Sequence, residues 1–122
     1  MDRNRIARYV LTGSLVLVFG LFGIQKFTDP FLWIGFVPTW LEGALGLTRD
    51  QWLQIIGAVE ILSAVALLVP VRRVRQVAAV AMIVQLLGIL SQVVGQGGWT
   101  DPLFIRDIAI LLQVVVLLIL LL

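Results

Sequence analysis

Four apolar stretches, 9–27, 51–69, 77–94 and 103–122, leave only short polar links between them. Each is close to the ~20 residues that an α-helix, rising 1.5 Å per residue, needs to cross about 30 Å of hydrocarbon. The spacing therefore predicts an all-α, integral membrane four-helix bundle that occupies 1–122 as a single domain. A soluble fold is a poor alternative. A chain of 122 residues that is 61% hydrophobic and 13% charged has more apolar surface than one core of that size can hide. The first stretch follows basic residues, as a secretory leader would. It has no small-residue cleavage site, however, and runs into Gln25-Lys26-Phe27, so it is expected to be a retained span.

Charge sets the expected topology. Arg3, Arg5 and Arg8 precede the first span, and Arg72, Arg73 and Arg75 fill the link between the second and third. The positive-inside rule places both segments, and with them both termini, in the cytoplasm. The other two loops carry Asp29, Glu42, Asp50 and Asp101 against Arg49 alone, which suits the outer side. The formal charge of +2 thus comes from short basic runs beside apolar segments, a pattern of membrane topology with no nucleic-acid partner implied. Trp33, Trp40, Trp52 and Trp99 all fall on the external side, where amphipathic rings favour the headgroup layer, and Tyr9 is their inner counterpart.

The first external loop is the only sizeable one. Residues 38–47 read as a short interfacial helix on the outer leaflet. Thr48-Arg49-Asp50-Gln51 then matches a capping box, flanked by Leu47 and Trp52 as a hydrophobic staple, so the second span should start there. Gly23 and Phe27-Thr28-Asp29-Pro30 are echoed, in the same order and spacing, by Gly95 and Trp99-Thr100-Asp101-Pro102. Each Asp could cap a helix that opens on proline, whose missing N–H costs nothing there. A duplicated hairpin and convergent helix-start chemistry both account for the echo, and its shortness favours the second.

The absences are as informative. There is no cysteine and no histidine. Thiol relays, disulfides, thiolate metal sites, the usual haem, zinc and copper ligands, and His-based nucleophile activation all fall away. No metal and no covalently bound cofactor is expected. Any redox group must belong to a partner or be a diffusible quinone or lipid-like molecule.

Among the ionisable residues Glu60 stands out. It lies nine positions into the second span, about 13 Å below its outer boundary, where an ionised carboxylate costs ~3 kcal/mol or more. It must be protonated, paired or facing a wet cavity. Gly57 and Ser63 share its helical face and allow a neighbouring helix to come close, so Glu60 should face the bundle. Candidate partners are Lys26, near the outer end of the first span, and Arg106, about 6 Å into the fourth. Asp107, Gln85, Gln92 and Gln113 could extend a polar interior. One reading is a structural network that fixes helix register. The other is an outward-facing pocket for a small amphipathic ligand, anchored by Lys26, Glu60 and Arg106. Gly13, Gly20 and Gly23 read as close-packing positions in the first span, and Met82 as a packing residue. Arg72-Arg73-x-Arg75 reads as a topology signal and, more weakly, as a site for anionic lipid.

Several motifs, in order along the chain, resemble the DoxX-like family of small bacterial four-span membrane proteins. They are Gly23-x-x-Lys26-Phe27, Trp33-x-Gly35-x-x-Pro38, Gly57-x-x-Glu60, Arg75-x-x-Ala78-Ala79 and Arg106-Asp107. After the glutamate the family usually has further glycines, where this chain has Ile61-Leu62-Ser63-Ala64. The resemblance implies a four-helix bundle in the bacterial cytoplasmic membrane, associated in some members with quinone-linked oxidoreductase systems. It singles out Lys26, Glu60, Arg106 and Asp107, the residues that the bilayer reasoning selects. The expectation is an accessory or anchor subunit, not an enzyme on its own, partnered by membrane lipid and a larger oxidoreductase complex. A small proton-coupled transporter using Glu60 and a purely structural subunit of a larger assembly are the alternatives.

Overall fold

The computed structural model describes residues 2–95 and 102–122. Four long helices carry the fold: α1 (Arg3–Thr28), α2 (Arg49–Leu68), α3 (Arg72–Gly95) and α4 (Pro102–Leu121). Each contains a segment long and apolar enough to cross a membrane, which makes this a multi-pass membrane protein built as a helical bundle. Large apolar side chains such as Val10, Leu62, Val77 and Leu112 stand exposed around its girdle, where lipid rather than water is the matching solvent.

Helix ends follow local chemistry. α1 starts six residues earlier than the apolar pattern alone suggests, because the Asp2 side chain accepts the Asn4 N–H and caps it. α2 opens on the expected capping box: Gln51 N–H donates to Thr48 Oγ1, and Thr48 N–H donates back to Gln51 Oε1. Beyond Pro70 the chain turns at once into α3. Arg72, Arg73 and Arg75 therefore form the first turns of that helix instead of a free link. Arg72 Nε and Gln76 Nε2 both donate to the Leu121 carbonyl, at 2.6 and 2.7 Å, so α3 answers carbonyls that the last turn of α4 cannot satisfy itself.

The loop between α1 and α2 departs from expectation. Residues 38–47 are not a continuous interfacial helix but two single 3-10 turns, Thr39–Leu41 and Ala44–Gly46, preceded by two more at Pro30–Leu32 and Ile34–Phe36. The breaks come from left-handed backbone at Gly43 (φ 82°), Leu45 (φ 56°) and Gly46 (φ 74°), which no helix can pass through. Leu45 is the one non-glycine with positive φ among the described residues, and its side chain is 87% exposed. Asp29 also departs from the capping role expected of it. Pro30 does open a turn, yet the Asp29 side chain makes no capping bond to it. The second copy of the echo at 99–101, including Trp99 and Asp101, lies outside the described residues.

Two apolar clusters organise the interior. The larger joins all four helices through Leu15, Phe19, Leu67, Met82, Val114 and Leu117. The smaller, Trp33, Val37 and Leu53, seats the loop on the helix ends. Three polar contacts fasten that seat: Thr39 N–H donates to Gln92 Oε1 (3.1 Å), Arg49 to the Val37 carbonyl (2.9 Å), and Trp52 Nε1 to the Ala44 carbonyl (3.3 Å). The loop is thus a lid bound to α2 and α3, lying over the α1–α2 crossing.

Candidate functional site

The site begins with two glycines. A Cβ on Gly23 would stand 2.7 Å from Ile61 Cγ1 and 2.8 Å from the Gly57 carbonyl oxygen. One on Gly57 would stand 3.1 Å from the Gly23 carbonyl oxygen. Here α1 and α2 touch backbone to backbone, as small residues permit between membrane helices. Lys26 follows Gly23 by three residues and Glu60 follows Gly57 by three, so each charge lies on the face that its glycine opens. The result is an ion pair of 2.7 Å between Lys26 Nζ and Glu60 Oε1, with both side chains 3% exposed. At that distance charge and hydrogen bonding reinforce each other in an interior that water scarcely enters.

Arg106 does not join Glu60. Its Nε and one terminal nitrogen close on Asp107 Oδ1 at 3.2 and 3.0 Å, a pairing available at once to sequence neighbours. Asp107 is buried, whereas the Arg106 side chain is 34% exposed. The expected single cluster of anchors is therefore two ion pairs, and what links them is Trp33. Lys26 Nζ sits 4.0 Å from the centre of the Trp33 ring, and the Arg106 guanidinium lies 5.8 Å from the same ring and 4.8 Å from Phe22. Cations placed over aromatic faces are held by the ring quadrupole, most strongly when desolvated. Phe22 and Phe36 both pack against Trp33, with ring centres 4.7 and 5.9 Å away.

Trp33 is the residue that sequence reasoning misplaced. Assigned to the headgroup layer with the other tryptophans, it is instead 6% exposed and buried with an unpartnered indole N–H. The available signal was its distance along the chain. Seven residues after Lys26 and just past the Asp29-Pro30 break, it has little reach except back over the helix end it has left. Trp40, in contrast, is 70% exposed.

The amides divide. Gln85 donates to Ser63 Oγ (3.4 Å) and to the Ala81 carbonyl (3.1 Å), continuing a polar seam one helical turn past Glu60. Gln92 is used to hold the lid. Gln113 lies apart, on a groove between α1 and α4. Of the three first-span glycines only Gly23 is a packing position, because a Cβ on Gly13 or Gly20 would meet nothing within 4 Å.

Space is distributed unequally around Trp33. On the Lys26 side, closed by Val37, Leu53 and Ile56, a cavity of about 10 Å³ remains, at the lower limit for one water. On the other side, Phe22, Gln25, Leu32, Trp33, Phe36 and Arg106 line an open groove of about 330 Å³. That is the size range of small-molecule sites, with an aromatic floor and few polar groups.

The family model described as Domain of unknown function (DUF8561) matches residues 15–97, and the chain belongs to that family. The match covers α2, α3, the lid and most of α1, and so includes Lys26, Trp33, Glu60 and Gln85. No curated protein and no solved structure matches the chain.

Proposed function

We propose that this family member is a non-catalytic membrane subunit that holds a quinone or lipid-like molecule in the Arg106 groove and anchors an oxidoreductase partner in the bacterial cytoplasmic membrane. The observation that carries the reading is a single cation, Arg106, one-third exposed at the rim of a groove floored by Phe22, Trp33 and Phe36. A guanidinium has donors left after it pairs with Asp107, and these suit a ligand carbonyl or hydroxyl while the rings suit an apolar body. The resemblance to DoxX-like proteins supports the oxidoreductase setting, with the lid facing outwards and the arginine-rich end inwards.

On this reading Lys26 and Glu60 fasten the floor of the site without touching the ligand. A transporter that loads and unloads a proton at Glu60 is disfavoured by the same geometry, because the carboxylate is held by a fixed cation with space for at most one water beside it. The test is purification in mild detergent followed by native mass determination and solvent extraction. The expected result is a complex heavier than the lone chain, carrying extractable quinone or lipid that Arg106→Gln and Phe36→Ala each reduce severalfold. A bare monomer with nothing extractable would end the proposal.

A further inference from the structure

A second site lies at the opposite end of the bundle, between α1 and α4. A polar cavity of about 280 Å³, lined by Asp2, Asn4, Arg5, Arg8 and Leu120, opens there. Leu120 also walls a longer groove of about 570 Å³, whose sides include Ala7, Val10, Leu11 and Val116. A cationic chamber thus continues, past one shared leucine, into an apolar trough running along the membrane-spanning faces of both helices. We propose that this is a seat for one anionic phospholipid, its phosphate between Arg5 and Arg8 and an acyl chain along the trough.

Charge decides the headgroup. The arginine-rich end carries Arg3, Arg5, Arg8, Arg72, Arg73 and Arg75 against Asp2 alone, and the Asp2 carboxylate is engaged in capping α1. Both ion pairs found among the described residues belong to the other end. Arg8 Nε is buried with no hydrogen-bond partner, a donor that a phosphate oxygen would satisfy. Arg5 donates to the Tyr9 hydroxyl at 3.2 Å, which holds its guanidinium in place while leaving its remaining N–H groups available. Shape decides the rest of the ligand. The trough is open to the side, and Val10 and Val116 on its walls are 67% and 49% exposed, a surface for a flexible hydrocarbon chain. A second copy of the chain would bring another arginine-rich end to the same place, and like charge would oppose it.

The test uses the intact protein, reconstituted in vesicles of equal phosphatidylglycerol and phosphatidylcholine, extracted in mild detergent and weighed by native mass spectrometry. The expected species is the chain with one retained phosphatidylglycerol, favoured over phosphatidylcholine by about fivefold for each of the two arginines. Arg5→Gln with Arg8→Gln should abolish that preference and still retain a lipid. Val116→Trp, which fills the trough, should lose the retained lipid. Arg73→Gln, with its charge near α2, should change neither. Equal retention of the two lipids by the unaltered protein would overturn the proposal, whatever the variants do. So would a loss of preference in Arg73→Gln as large as in the double variant, displacement of the lipid by millimolar inorganic phosphate, or a lipid-free dimer.

Discussion

α1 meets its two neighbours in opposite ways. Against α2 it comes down to backbone contact at Gly23 and Gly57, and the closeness lets a glutamate and a lysine bury each other completely. Against α4, at the other end, it stands off and leaves a trough that side chains do not fill. The difference shows how one apolar helix can serve both as structure and as binding surface. Where small residues bring helices together, charges become internal cement. Where valine and leucine hold them apart, the gap is left to the membrane.

Unpairing the buried charges should strike this contrast hardest. Lys26→Met or Glu60→Leu alone leaves an uncompensated charge in a dry interior and should cost about 3–5 kcal/mol, whereas the two together should recover most of the loss. Thermal unfolding in detergent, arranged as a double-mutant cycle, measures this directly. Single losses that simply add would show that the pair is not coupled. Next comes the crossing itself. Gly23→Ala must push Ile61 and the Gly57 backbone aside, for an expected 1–3 kcal/mol by the same measurement. Gln92→Leu removes the acceptor for the Thr39 N–H and should cost about 1 kcal/mol, with faster hydrogen exchange confined to the lid. Smallest is the control one helical turn before the crossing on α1: Gly20→Ala meets no neighbour and should stabilise by about 0.5 kcal/mol, through helix propensity alone.

Much of this was legible in the sequence, for identifiable reasons. An intramembrane carboxylate must be protonated, paired or wet, so the need of Glu60 for company followed from solvation alone, and the i+3 spacing from Gly57 indicated the face. The choice of Lys26 over Arg106 as its partner came only with the structure. The capping box was readable because its two hydrogen bonds are local. Arg106 was misassigned because sequence shows how deep a residue lies but not that its immediate neighbour has taken its charge. The lid was misread because hydrophobic patterning over 38–47 suits a helix, while the deciding fact is the left-handed backbone at Gly43, Leu45 and Gly46. Gly13 and Gly20 look like Gly23 in sequence, and only tertiary contact separates them. Trp33 was hidden by a statistical habit of its residue type, which a buried, cation-facing position overrides.

Leu45 carries a last consequence. A leucine in a glycine's backbone geometry costs the chain roughly 1 kcal/mol or more, and here the side chain makes no internal use of that conformation, standing almost bare, as do Phe31 and, to a lesser degree, Trp40 in the same loop. In water each of these would forgo about 1.5–3 kcal/mol of burial. Among acyl chains they would forgo none of it. On the membrane placement proposed above, the lid would act as a waterline that sets how low the bundle rides, and a charge introduced at position 45 should lift that end towards the aqueous phase.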